Sequence, residues 1–167
     1  MRSKAHLAGQ PAPYRIMFVC LGNICRSPAA EGILKAMIQQ RGLEGKLAVD
    51  SAGTASYHIG KLPDSRMIEA AARRGYLLAT KAKAFTKAMI SERDIVIAMD
   101  RENYSEILLI AGGQQGNVKL LSDFLDASWP RDVPDPYHGG EAGFEYVLDM
   151  LEAAGPKLLG EPKILGE

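Results

Sequence analysis

Short continuous apolar runs alternate along this chain with longer stretches of helical periodicity. The run Ile16-Met17-Phe18-Val19-Cys20-Leu21 contains no polar residue, as expected of a central parallel strand covered on both faces. After Gly22-Asn23-Ile24-Cys25-Arg26, Ser27 suits a helix N-cap, and Pro28 suits the first helical position, where its missing N–H is no loss. Ile33, Leu34, Met37 and Ile38 form one apolar stripe at helical spacing, and Gly42 stops the helix. A second strand is expected around Lys46–Val49, ending at Asp50-Ser51-Ala52-Gly53. Pro63-Asp64 opens a second helix carrying Met67, Ile68 and Ala71, closed by Gly75. Ile95 to Met99 reads as a third strand, followed by a helix from about Arg101 to Ala111. Val118–Leu121 supplies a fourth strand, and a last helix runs from about Gly143 to Leu159, burying Phe144, Val147, Leu148 and Leu151. This alternation predicts a single α/β domain, a parallel sheet with right-handed crossovers and helices on both faces. Ligands of such folds sit at the carboxyl ends of the strands, and Cys20 lies at one of them.

Composition narrows the function. The chain has 167 residues, one domain's length, with 20 basic against 20 acidic side chains; a broad nucleic-acid binder carries a net positive field instead. Two cysteines, Cys20 and Cys25, are too few for a disulfide scaffold or a four-thiolate zinc site. His6, His58 and His138 lie far apart, so no metal site and no cofactor is expected. No apolar stretch approaches the roughly 18 residues that span a membrane. Residues 1–13 hold no signal-peptide core and read as a loose extension, with a domain over 14–158 and a tail over 159–167. A cytoplasmic protein is expected, and the absence of G-x-x-x-x-G-K-[ST] disfavours a nucleotide-binding loop.

The chemistry concentrates between the first strand and the first helix. Cys20-Leu21-Gly22-Asn23-Ile24-Cys25-Arg26-Ser27 is a cysteine, five residues, an arginine and a hydroxyl. A short loop curled round an anion points successive N–H groups inward, and the following helix adds its positive end. Gly22 is expected to supply the unusual torsions. Arg26 offers a planar fork for two oxygens of a tetrahedral oxyanion. Such a field favours the thiolate of Cys20, a nucleophile facing bound phosphate. Taken alone, Cys20 also fits a small core residue and Arg26 a surface cation; the strand–loop–helix setting favours the functional reading.

The stretch Val19 to Pro28 closely resembles the active-site loop of the low-molecular-weight protein tyrosine phosphatases. The resemblance extends to Asp50-Ser51-Ala52-Gly53-Thr54, Ala98-Met99-Asp100 and Asp135-Pro136-Tyr137, in the same order over about residues 14–158. It implies a four-stranded parallel sheet flanked by helices and hydrolysis of phosphotyrosine proteins through a phosphocysteine on Cys20. It further implies that Asp135 is the general acid and base; in isolation Asp135-Pro136 reads as a plain turn. Asn23, Ser27 and Ser51 would form the loop-supporting hydrogen-bond network, although each is also a turn former or cap. Tyr57 and Tyr137 match the aromatic cleft rim, where half-buried packing is the other reading. Cys25 matches a cysteine with a proposed redox role, closing a disulfide on oxidised Cys20, or is simply a small buried loop residue. Two departures stand out. His138 follows Tyr137 where some members have a second tyrosine, and Arg74 stands where some have a histidine of the supporting network. The rival readings are an arsenate reductase using an external thiol, since no cysteine follows Cys25, and a non-catalytic phosphotyrosine-binding module.

Overall fold

A computed structural model of the protein describes residues 11–160. The expected N-terminal extension and C-terminal tail lie outside the described residues, apart from 11–13 and 159–160. Four strands, β1 (Tyr14–Cys20), β2 (Leu47–Gly53), β3 (Ile95–Ala98) and β4 (Val118–Leu120), form one parallel sheet in the order β2-β1-β3-β4. Around them lie α1 (Arg26–Gln40), α2 (Ser65–Ala72), α3 (Lys87–Ser91), α4 (Arg101–Ala111) and α5 (Glu141–Leu159), with a 3-10 turn at Leu121–Phe124.

The unbroken apolar run of β1 follows from burial on both faces. Ile16, Phe18 and Cys20 enter the larger core beneath α1, α2 and α5, while Met17 and Val19 enter a second core with α3 and α4. β3 repeats the division, Ile95 and Ile97 facing one way and Val96 and Ala98 the other. From β1 the chain moves outward to β2, then returns past β1 to β3 and β4. The loops after β1 and β3 therefore diverge at a topological switch point, where such sheets open a crevice.

The helix signals hold at most ends. Asp64 accepts the Arg66 N–H at 2.9 Å and caps α2, Asp100 accepts the Asn103 N–H at 2.7 Å and caps α4, and Gly112 closes α4 in the left-handed region. At the end of α1, Gly42 is left-handed while Leu43 N–H reaches Ile38 O at 2.9 Å and Gly42 N–H reaches Gln39 O, a Schellman closure. The start of α1 differs from expectation. Cys25, without a side-chain cap, precedes Arg26 as first helical residue, so Ser27 lies inside the first turn. Pro28 is still tolerated there, because first-turn N–H groups lack intrahelical acceptors. α3, five residues long, is too short to carry a periodic signal.

β2 runs further than its apolar part because its polar residues have partners. Asp50 shares the Ala52 side of the strand, where Lys83 Nζ lies 2.7 Å away and the Arg93 fork lies at 3.0 and 2.6 Å. Burial alone would raise the Asp50 pKa, but the hydrogen bonds and charges of Arg93 and Lys83 outweigh it and hold the carboxyl below its ordinary value. A depressed carboxylate stabilises the fold above its unfolded pKa of about 3.9, and that contribution disappears as pH falls through the lower folded value. Asp50→Asn is expected to lose about 1–3 kcal/mol at pH 7, because nearly buried Arg93 loses its charged acceptor. Urea unfolding of both forms should show that difference steady from about pH 5 upward and closing in acid; a gap that persists at low pH contradicts the ion-pair account.

Candidate active site

Residues 21–25 turn sharply between β1 and α1. The left-handed residue of that turn is Asn23, at φ 57, and not Gly22 as the sequence suggested. At Gly22 a Cβ would lie 2.9 Å from His58 Cδ2, so the half-buried rim histidine would have to turn aside for any larger residue. Asparagine tolerates the left-handed region because its short polar side chain bonds locally. Asn23 is buried, and its Nδ2 donates to Ser27 Oγ at 2.8 Å and Ser51 Oγ at 2.9 Å. Its Oδ1 accepts the Lys83 N–H at 3.0 Å. Gly53, paired with Cys20 across the sheet, closes the loop from the other side. A Cβ on Gly53 would meet Leu21 O at 2.8 Å and Asn23 N at 3.0 Å, backbone atoms that cannot swing aside.

The hydroxyl of Ser27 lies 3.0 Å from Cys20 Sγ. Since Ser27 Oγ already accepts from Asn23, its single proton is free for the sulfur, the alternative acceptor Ala52 O being at 3.4 Å. Asn23, Ser27 and Ser51 are thus brought together. The network continues to a residue that sequence reasoning missed: Ser51 Oγ donates to Glu31 Oε1 at 2.7 Å. Glu31 is buried in α1, and its Oε2 also accepts from Lys35 Nζ and Thr80 Oγ1, both at 2.6 Å. The available signal was a carboxylate four residues after Ser27 on the same helix face. Arg74 is not part of this network. It binds Glu145, Asp149 and Glu152 of α5, which draw the guanidinium across the α2–α5 seam.

Cys20, Arg26 and Asp135 line one cavity of about 140 Å³ together with Leu21, Gly22, Ile24 and Cys25. That is well below the roughly 300–1,000 Å³ of sites that engulf a drug-sized ligand, so one end of a larger molecule fits it. Arg26 is almost wholly buried. Its Nη1 donates to Asp100 Oδ2 at 2.5 Å and to Val133 O at 2.9 Å, while Nη2 lies 3.7 Å from Asp135 Oδ2. Burial works against its charge, but the neighbouring Cys20 and the hydrogen bond and charge of Asp100 outweigh that, and the guanidinium pKa is raised. Asp100 therefore serves twice, capping α4 with Oδ1 and aiming Arg26 with Oδ2; the sequence offered it only as part of the Ala98-Met99-Asp100 match, with no role attached.

Asp135 is partly exposed, and its Oδ1 accepts the Tyr137 N–H at 3.1 Å in a tight turn. The rim is an aromatic arc: His58 lies 6.1 Å from Tyr57 and 6.0 Å from Tyr137, and His138 lies 4.9 Å from Tyr137, centroid to centroid. Tyr57 is 73% exposed, so the reading of it as packing does not hold. Cys25 is a buried free thiol whose pKa is pushed up by burial first, then by the negative charges of Asp64, Cys20 and Asp135. Among the described residues, no three His, Cys, Asp or Glu side chains are grouped to hold a metal, and no helix is long and apolar enough to cross a membrane.

The chain is similar to known proteins over most of its length. A Synechocystis sp. protein is 50% identical over 147 residues, 87% of this chain and 94% of its own. The solved structure of YfkJ from Bacillus subtilis, a low molecular weight protein-tyrosine-phosphatase, superposes with a TM-score of 0.88 at 35% identity, covering 95% of this chain and all of that one. A protein tyrosine phosphatase structure from Entamoeba histolytica gives 0.85 at 39% identity, over 92% of this chain and 99% of that one. The family model for the low molecular weight phosphotyrosine protein phosphatases matches residues 15–166, and the chain belongs to that family.

Proposed function

We propose that this protein hydrolyses phosphotyrosine on proteins, and aryl phosphate monoesters generally, through a phosphocysteine. The observation that carries this reading is the convergence of Cys20, Arg26 and Asp135 on one small cavity, with the Ser27 hydroxyl 3.0 Å from the sulfur. In the first step the Cys20 thiolate attacks phosphorus and the bond to the aryl oxygen breaks. Protonated Asp135 delivers its proton to that leaving oxygen, an effect typically worth about 10²–10⁴ in rate. In the second step water attacks the phosphocysteine and Asp135 takes its proton. The P–S bond breaks to give inorganic phosphate, and Ser27 donates to the departing thiolate. Arg26 and the loop and first-turn N–H groups hold the equatorial oxygens, so catalysis is positioning and charge stabilisation, with the neutralising charge supplied by the protein itself.

The shape of the site supports phosphotyrosine over phosphoserine. The aromatic arc of Tyr57, His58, Tyr137 and His138 stands at the mouth while Cys20 is nearly inaccessible at the base, so a short phosphoserine side chain would fall short. A thiol that must stay reduced to work suits the cytoplasm. Cys25 is assigned a redox role. Peroxide converts the Cys20 thiolate to the sulfenic acid with release of hydroxide, and Cys25 thiol then condenses with it to a disulfide and water.

Three experiments test these assignments. Wild type should hydrolyse p-nitrophenyl phosphate and a phosphotyrosine peptide, Cys20→Ser should be inactive, and Asp135→Ala should lose about 10²–10⁴-fold on the peptide. No hydrolysis by wild type, or full activity in Cys20→Ser, sinks the assignment; arsenate reduction or peptide binding without turnover then identifies which rival is correct. Ser27→Ala should slow phosphocysteine breakdown and iodoacetate alkylation of Cys20 by about 10-fold or more, as expected for a lost hydrogen bond to a charge. A lower melting temperature with both rates unchanged would leave Ser27 a purely structural residue. After peroxide and then reductant, Cys25→Ser should recover far less activity than wild type; equal recovery removes the redox role.

A further inference from the structure

Residues 134–140 carry Asp135 over the cavity, and the two ends of this segment are held differently. Upstream, Val133 is fixed on both sides: its N–H donates to Met99 O at 3.0 Å, and its carbonyl accepts from Arg26. Downstream, among the described residues, one hydrogen bond ties residues 136–140 to a distant part of the fold: Arg66 Nη2 donates to Tyr137 O at 2.8 Å. The same guanidinium forks onto Asp64, Nε to Oδ1 at 3.0 Å and Nη2 to Oδ2 at 2.9 Å. Asp64 in turn donates its backbone N–H to Ile24 O in the phosphate loop at 2.8 Å. Arg66 Cζ also lies 4.7 Å from the centroid of the Phe144 ring on α5 and 5.5 Å from that of Tyr137. The path Ile24–Asp64–Arg66–Tyr137 is a strut joining the loop of the proposed nucleophile to the loop of the proposed acid.

We infer that Arg66 is a positioning residue for proton transfer, setting the Asp135 loop at the height where its carboxyl meets the leaving oxygen. The inference rests on the acid role proposed for Asp135. Arg66 does not line the cavity, so its effect passes through the loop and not through substrate. The role calls for arginine: three hydrogen bonds leave one planar group in two directions, which a lysine ammonium on a flexible stem does not reproduce.

The test is the dependence of kcat/KM on leaving-group basicity, from p-nitrophenyl phosphate to phenyl phosphate, because only a basic leaving oxygen needs the proton. Arg66→Ala should lose about 10-fold or more on phenyl phosphate and at most about threefold on p-nitrophenyl phosphate, since displacement of a catalytic group by an ångström costs up to about 10²-fold. Arg66→Lys should fall between, and it carries the test if the alanine variant does not fold. Iodoacetate alkylation of Cys20 should be unchanged, and in an Asp135→Ala background Arg66→Ala should cost nothing more on phenyl phosphate. Equal losses on both esters, no loss, or full additivity with Asp135→Ala overturns the positioning role and leaves the acid role standing. If Asp135→Ala itself does not steepen the dependence on leaving-group basicity, the acid role fails and the inference with it.

Discussion

The cavity depends on one buried constraint, the left-handed Asn23 and its three hydrogen bonds. A loop this tight forces one residue out of the ordinary torsional regions, and for a non-glycine residue that costs on the order of 1–2 kcal/mol. Against it stand the bonds to Ser27, Ser51 and Lys83, each contributing about 0.5–1.5 kcal/mol net. Without them, each buried partner left unsatisfied would cost about 1–3 kcal/mol, so the hydrogen bonds win. Glycine would relieve the torsion and lose all three. The same bonds set the direction of the network: Asn23 donates to both serines, which leaves one serine proton for Glu31 and the other for the sulfur.

The sheet and its order of elements were legible because β1 and β3 are buried on both faces, which writes an unbroken apolar run into the sequence. The cysteine-to-arginine spacing was legible as a motif, whereas the Asp-Pro-Tyr segment stood out only through the family resemblance. Details set by tertiary contacts were not legible. Gly22 looked like the torsional hinge, yet the left-handed residue is Asn23, held by Ser51 and Lys83, partners 28 and 60 positions along the chain that no local pattern reveals. Ser27 was read both as a cap and as a network member, because both roles favour a short hydroxyl, and only the start of α1 at Arg26 removes the cap. Arg74 stood out only as a departure from the family's histidine, and its own partners, three carboxylates on α5, were not legible. Glu31 and Asp100 were overlooked as parts of the site for a related reason. Carboxylates on helices usually face solvent or cap ends, and what distinguishes these two is the buried hydroxyl or guanidinium beside each.

The balanced charge of the whole chain conceals strong local order. Arg26 is held between Asp100, which fixes it, and Asp135, which stays farther off at 3.7 Å. The short contact, together with the Val133 carbonyl, fixes the direction of the guanidinium plane. The longer contact leaves the partly exposed Asp135 carboxylate outside hydrogen-bond range of the guanidinium.

In the cavity wall, Cys20 and Arg26 come from the first sixth of the sequence, whereas Asp135, Tyr137 and His138 come from its last third, after the chain has crossed the sheet to β3 and β4. An N-terminal fragment that formed β1, α1 and β2 would own the thiol and the arginine but lack the carboxylate that aims the guanidinium. Under the proposed function, oxyanion affinity is therefore a property of the completed fold, and phosphate would act as a ligand of the native state alone. It raises global stability by mass action as its concentration exceeds its dissociation constant, about 2.7 kcal/mol at a hundredfold excess, and staples together two parts of the chain that fold far apart in sequence.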